Sequence, residues 1–373
     1  MNNILAYYYS LHPDEIIHKK NSYFFNYLNS EYVFMMFERP LSDIESLYQI
    51  NKQMIKQNLL VHEMKLNNEN KILTYINNIP YVLMEIFVNK NAGITLSEIC
   101  HINNNSINVK CDNIIARYDW VNLWETKNDY LETQINEIGK KYPNLCTFAN
   151  YYIGLAENAI SYVRMANLLE DDAPLSVCHK RIEPEGTLFE LYNPIGFVCD
   201  YRVRDVSEYV KKAFFEKMNV KEIVNEFFAN NYISYKEALL FYGRLLYPSY
   251  FFDIQGKIIN ENADERKIEE VVSMSDEYEQ FLLWVYSFLV KKYNKLIYEL
   301  NKDNDFYMKS GDTHKVINKY RKEETVITVK NSHILLKTNI INRDIKKFLP
   351  ITQAFACDFQ NKDYFWLEEL IYL

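Results

Sequence analysis

The chain has 373 residues, 48% of them hydrophobic, enough to bury a sizeable core in two domains or one bilobal unit. Its 42 basic and 50 acidic residues give a net charge of −8 with no basic block, which excludes the electrostatic footprint of a nucleic-acid binder and offers nothing to an anionic membrane surface. The first residues, MNNILAYYYSLHPDE, have neither a basic start nor a sustained apolar core, and no apolar run is long enough to span a bilayer, so a soluble cytoplasmic protein is expected.

In chain order, residues 23–28 and 32–37 are rich in β-formers and flank Asn29-Ser30, a turn signal, so they predict a hairpin. Ser42 and Glu45 have capping-box spacing, and Ile44, Leu47, Tyr48, Met54 and Ile55 follow near helical spacing. Residues 71–76 and 80–87 predict a second hairpin about Asn77-Asn78. Strand pair, helix and strand pair make a small α+β lobe over residues 1–88. Residues 89–117 read as a linker with one short helical piece at 95–101. His101, Cys100 and Cys111 lie close in sequence there, but no fourth ligand stands at zinc-like spacing, so no metal is expected. The six cysteines (100, 111, 146, 178, 199, 357) show no C-x-x-C pairing and read as reduced thiols.

Residues 118–304 predict a mainly helical lobe. A helix with Trp120, Leu123, Trp124, Leu131, Ile135 and Ile138 on one side is stopped by Pro143, and an apolar helix over 146–169 makes the centre of the lobe. Glu157-Asn158 within it reads as a satisfied polar pair that faces the linker or a loop. Helices follow over 220–230, 235–259 with a break at Pro248, and 275–302, with NENADERKIEE as a charged loop between the last two. Residues 305–373 form an appendage with a hairpin over 325–338 and an apolar, aromatic end. The 31 tyrosines and 22 phenylalanines are expected to serve core packing.

The stretch 174–212 carries the functional signal. A short apolar strand (Leu175, Val177) leads into Cys178-His179-Lys180-Arg181, a second apolar run ends at Phe197-Val198-Cys199, and Arg204-Asp205 opens an amphipathic helix. Neighbours on a strand point to opposite faces, so Cys178 and His179 do not form a nucleophile pair, and Cys178 reads as a small buried hydrophobe. The order resembles the aminoglycoside phosphotransferase and choline kinase class. That resemblance implies an α+β, bilobal protein-kinase-like fold, with a small mixed N-lobe, a mainly helical C-lobe and a catalytic loop of the form H-G-D-x-x-x-x-N. On that pattern His179 matches the His, Lys180 replaces the Gly, Arg181 replaces the catalytic Asp, and Gly186 replaces the metal-binding Asn. The strand that would supply a second metal-binding Asp reads Pro194-Ile195-Gly196-Phe197-Val198. Asp200 falls a few residues late and reads as a loop residue.

Arg204-Asp205-Val206-Ser207-Glu208 resembles the class's R-D-[LI]-[AS] segment, whose Asp braces the catalytic loop. In physical terms Asp205 reads as an N-cap with Glu208 reaching back, a capping box worth roughly 0.5–2 kcal/mol. The N-lobe has no lysine on residues 32–37, its nearest basic residue there is Arg39 before Pro40, and the first glycine of the chain is Gly93. Tight triphosphate binding on a glycine-rich loop is therefore not expected.

Within the class the chain resembles the CotS-type spore-coat-associated kinase-like proteins, in particular the YutH-like branch of spore-forming Firmicutes. YYIGLAENAI at 151–160, SVCHKR at 176–181, RDVSEYV at 204–210 and YGRLLYP at 242–248 carry the resemblance, which covers about residues 20 to 300. It implies a spore-coat setting with other coat proteins as partners. The expectation is a pseudokinase with a structural or interaction role and no cofactor. An alternative is an atypical small-molecule phosphotransferase that uses ATP and Mg²⁺, with Glu183, Glu185 or Asp200 as the substitute carboxylate. A third reading is a binding module whose Lys180 and Arg181 hold an anion, against the plainer one of a solvated charged loop.

Overall fold

Two rows of alternating apolar side chains on one sheet explain the amino-terminal part of the computed structural model. In that structure residues 1–88, 91–138, 141–261 and 263–293 are described, with 136, 138, 313–318, 323–330 and 333–338 described by their backbone alone. After helix α1 (Asn2–Tyr9), strands β1 (Ile16–Lys19), β2 (Ser22–Tyr27) and β3 (Ser30–Met36) run antiparallel. Helix α2 (Ile44–Lys56) then leads to β4 (Glu63–Lys65), β5 (Thr74–Ile76) and β6 (Ile79–Ile86). The sheet order is β1-β2-β3-β6-β4, with β5 also on β6.

Successive residues of a strand face opposite sides, and here both sides are covered. Val33, Val82 and Met84 pack with Met64, Ile44 and Tyr48 on one face; Phe34, Leu83 and Phe25 pack with Leu5 of α1 on the other. Both predicted hairpins form. The second is shorter on its first strand than expected, and α1, β1 and β4 were not predicted. The Ser42–Glu45 capping box does not form: a 3-10 turn, Leu41–Asp43, precedes α2, and Asp43 is drawn to Arg39 at 2.8 Å.

By contact the chain divides into two units, each made of two segments: Met1–Asp119 with Ala173–Asn230, and Trp120–Asp172 with Asn231–Leu373. The division into lobes at residues 88 and 118 follows secondary-structure content, whereas contact places the 173–230 segment with the sheet. That segment contains β7 (Leu175–His179), α6 (Leu188–Leu191), β8 (Phe197–Tyr201), α7 (Val203–Phe215) and α8 (Val220–Asn230). Before it, the linker holds α3 (Leu96–Asn105), whose first turn is capped by Thr95 Oγ1 accepting from the Glu98 N–H at 3.2 Å. The linker cysteine Cys111 forms a disulfide with Cys199 of β8 across 88 residues, which corrects the reading of all cysteines as reduced thiols. Chain topology, not local spacing, brings the two together.

The second unit is built on α4 (Trp120–Ile138), α5 (Pro143–Asn167), α9 (Tyr235–Leu246), α10 (Ser249–Glu261), α11 (Lys267–Ser273) and α12 (Ser275–Tyr293). Pro143 occupies the first turn of α5, where its missing N–H costs nothing. Helices α5 and α9 cross at Gly243, where an added Cβ would lie 3.2 Å from both Ala159 O and Val163 Cγ2. The Glu157-Asn158 pair is satisfied within the helices: Glu157 accepts from Asn128 of α4, and Asn158 Nδ2 donates to Gly154 O at 2.9 Å. Aromatic residues do fill this core, as in the stack of Tyr152 on Phe251 at 3.9 Å between centroids. Leu123, expected in the core, is exposed, and α11 lies at the end of the expected charged loop.

Strands β9 (Thr313–Asn318), β10 (Glu323–Lys330) and β11 (His333–Thr338) form an antiparallel sheet, and β10–β11 is the predicted hairpin with Lys330 opposite His333. The aromatic end beyond residue 341 lies outside the described residues. Among the described residues no helix is long and apolar enough to cross a membrane.

Candidate functional site

The strand pair β7–β8 carries the loop. His179, the last residue of β7, stands opposite Phe197, and between them the chain makes the loop, α6 and a 3-10 turn at Pro194–Gly196. His179 is buried, and both ring nitrogens meet oxygen acceptors: Nδ1 lies 2.6 Å from Asp205 Oδ2, and Nε2 lies 2.6 Å from Leu191 O. Asp205 Oδ1 also accepts the His179 backbone N–H at 2.9 Å, and Oδ2 accepts from Asn103 of α3 at 3.2 Å.

Asp205 therefore acts differently from the expected cap. Helix α7 begins at Val203 after Arg202, with no side-chain cap, so Asp205 lies inside the first turn and its carboxylate braces His179. Its charge suits the positive end of that helix. Glu208, the expected partner in the capping box, instead lies 3.2 Å from Lys211 Nζ.

Two arginines hold the loop's ends by backbone carbonyls. Arg204 Nε donates to His179 O at 3.1 Å, while its Nη1 meets Asp200 Oδ2 at 2.5 Å. Burial works against the Arg204 charge, but the carboxylates of Asp200, Asp205 and Glu208 outweigh it and raise its pKa. Arg39 Nη1 donates to Ile195 O at 2.9 Å and Phe197 O at 2.7 Å, and its Nε donates to Asp43 at 2.9 Å. On the adjoining side, the buried His62 donates its backbone N–H to Tyr192 O and its ring Nε2–H to Phe189 O, both at 3.0 Å. Its Nδ1 has no hydrogen-bond partner, and burial pushes the imidazole pKa down to about 4.

These segments surround a cavity of about 710 Å³. The exposed Lys180, Arg181, Glu183, Glu185 and Glu38 line it, together with the half-buried Arg39 and the buried His179. Asp200 is not among the lining residues. It is fully buried in β8 rather than in a loop, and its carboxylate is taken by Arg204 and by the Tyr201 N–H at 2.8 Å. Glu183 lies 3.3 Å from Lys212 Nζ, and Glu185 and Glu183 add to burial in raising the pKa of Glu216. Of the three substitute carboxylates, the structure thus brings two to the cavity and withholds the third.

Cys178 is fully buried, its thiol pKa pushed well up by burial, in keeping with a packing role. Sequence reasoning missed the clamping role of Arg39 and the part of Asn103. Arg39 was visible only as a basic residue before a proline; its carbonyl acceptors leave no mark in the sequence.

A family model described as "Spore coat putative kinase YutH" matches residues 2–285. The chain belongs to the YutH family. It is 28% identical over 203 residues to the endospore coat-associated protein YutH of Bacillus subtilis (strain 168), a match that covers 48% of this chain and 58% of that relative. The chain thus spans under two thirds of the length of that curated relative. In structure it is similar to an aminoglycoside phosphotransferase from Alicyclobacillus acidocaldarius, with a TM-score of 0.58 over 78% of this chain and 96% of that one, at 11% identity. That likeness establishes an aminoglycoside phosphotransferase-like kinase fold.

A magnesium–nucleotide pair is what this fold implies, and the residues do not fit it. In-line transfer requires a carboxylate to receive the acceptor proton and carboxylate or amide oxygens to hold the metal. On the class's motif this YutH chain has Arg181 in place of the catalytic Asp and Gly186 in place of the metal-binding Asn, and the nearby Asp200 of β8 is bound to Arg204. Among the described residues no three His, Cys, Asp or Glu side chains are grouped to share a metal.

Proposed function

We propose that this chain is a catalytically inactive member of the YutH family, a pseudokinase that serves a structural or interaction role in the spore coat. The observation that carries this reading is the state of Asp200: fully buried and ion-paired with Arg204 at 2.5 Å. Arg181 lines the cavity, and on the class's motif it takes the place of the catalytic Asp. The coat setting and coat-protein partners come from the family and its B. subtilis relative. A net charge of −8 argues against nucleic acid and anionic membranes as partners. On this reading the chain is made in the cytoplasm, needs no cofactor and acts at the coat.

A second reading, an atypical small-molecule phosphotransferase, has one observation in its favour: Glu183 and Glu185 line the cavity. A thermal-shift titration with ATP, with and without Mg²⁺ and Mn²⁺, separates the two, because a ligand that binds only the folded state raises the midpoint by mass action. The pseudokinase reading expects no shift. A metal-dependent rise at sub-millimolar ATP would overturn it.

A further inference from the structure

The Cys111–Cys199 pair sits where three parts of the first unit meet. Cys199 is fully buried in β8; its N–H donates to Ile115 O at 3.0 Å and its carbonyl accepts from Arg117 N–H at 2.8 Å. Cys111 is partly exposed, on the segment that leads into this pairing. The same segment holds α2. Lys110 N–H donates to Gln53 Oε1 at 2.9 Å, Gln53 Nε2 returns a bond to Lys110 O at 3.3 Å, and Ser46 Oγ donates to Asp112 Oδ2 at 3.0 Å. At the entrance to α2, Arg39 and Asp43 fasten the chain to the carbonyls of Ile195 and Phe197. Helix α2 is therefore tied to β8 twice, once by noncovalent bonds at its start and once through the segment that the disulfide anchors.

We propose that Cys111 and Cys199 form a reversible redox lock that fixes residues 110–117, and through them α2, against β8, setting the frame of the cavity. The chemistry is thiol–disulfide exchange with a low-molecular-weight disulfide as oxidant. The Cys111 thiolate attacks one sulfur of that disulfide and releases one small thiolate, leaving a mixed disulfide. Cys199 then loses its proton, attacks Cys111 Sγ and expels the second small thiolate. Two protein thiols are oxidised, one small disulfide is reduced to two thiols, and the two protons go to the departing thiolates. Cys111 is the point of entry because it alone of the pair reaches solvent, and Cys199 resolves the intermediate from inside. Reduction frees the 110–117 segment from its covalent anchor and leaves the Arg39 clamp and the two backbone hydrogen bonds of Cys199 with Ile115 and Arg117 as the remaining ties. The lock does not depend on whether the cavity takes a nucleotide.

The test uses the full chain equilibrated in glutathione buffers of graded reduced-to-oxidised ratio, quenched in acid, alkylated and mapped by peptide mass. Cys111 and Cys199 are expected to lose reactivity together, in one two-electron transition. The thermal midpoint of the fully reduced protein should lie on the order of 10 °C below that of the oxidised one. Exchange of the Cys199 and Arg117 amide protons should be roughly tenfold faster on reduction. Cys111→Ser, at a partly exposed position, should show a midpoint that matches the reduced wild type and no longer depends on the 111–199 transition. The remaining cysteines are present in that variant, so their background cancels. Independent titration of the two cysteines, continued alkylation of both in fully oxidising buffer, or an unchanged redox dependence in Cys111→Ser would each overturn the proposal.

Discussion

Replacing Asp205 by alanine tests the core of the loop. Its carboxylate accepts three hydrogen bonds, from the His179 N–H at 2.9 Å, the His179 ring at 2.6 Å and Asn103 at 3.2 Å, all in buried surroundings. Alanine would take this acceptor from the His179 ring, the His179 backbone N–H and the Asn103 amide at once, all of them buried. Removing one partner of a buried pair costs about 3–5 kcal/mol, most of it the penalty on the group left behind. That is a large share of the roughly 5–15 kcal/mol by which domains are stable, so Asp205→Asn, which keeps one acceptor oxygen, is the gentler companion at about 1–3 kcal/mol. Urea unfolding followed by far-ultraviolet circular dichroism reads both. Arg181→Ala, at an exposed position, should change stability by no more than about 0.5 kcal/mol. A cost below about 1 kcal/mol for Asp205→Ala, or equal costs for Asp205→Ala and Arg181→Ala, would refute the bracing role.

Acid should weaken the first unit through His62. Its folded pKa of about 4 lies below the ordinary value of 6.5, so the unfolded chain binds the extra proton first, and stability falls as pH drops from 6.5 to 4. The full contribution is about 3 kcal/mol, and His62→Phe should flatten that part of a stability-versus-pH curve; an unchanged curve would count against it. Gly243→Val should cost about 2 kcal/mol or more by calorimetry, because the added atoms meet Ala159 O and Val163 at the α5–α9 crossing; a neutral result would mean that the helices part freely. Ser234→Ala removes the cap of α9, where Ser234 Oγ accepts from the Glu237 N–H at 3.1 Å and donates to Asp172 O at 2.6 Å. Its expected cost is about 1–2 kcal/mol, and a loss under a few tenths would show that the cap is dispensable.

The layout of the loop was legible in the sequence because it depends on local pattern. Apolar runs at 175–177 and 197–199, with a polar stretch between and an amphipathic helix after, gave β7, β8 and α7 in the right order. The substitutions at 180, 181 and 186 were equally plain, since they are read by identity. What stayed hidden were contacts whose acceptors are backbone carbonyls or whose partners lie far along the chain. Arg39 reaches carbonyls 156 and 158 residues away, and Cys111 reaches a partner 88 residues away. The short β4 and the Lys20-Asn21 turn before β2 carry too little periodicity to register. At Asp205 two readings part: the brace that the class resemblance implied forms on His179, whereas the cap that its spacing to Glu208 suited does not.

The segment arrangement has a consequence for synthesis. The sheet of the first unit leaves the ribosome well before β7, β8 and α7, because the whole of α4 and α5 is made in between. Until those later elements arrive, Arg39 has no carbonyls to hold, Asn103 has no Asp205, and Cys111 has no Cys199. Helix α5 waits in turn for α9, the element it crosses at Gly243. Each unit is thus completed only after part of the other has been translated, so a chain arrested near residue 172 exposes two unfinished cores at once, and folding is expected to conclude late, the first unit closing on residues 173–230 and the second on the chain that follows.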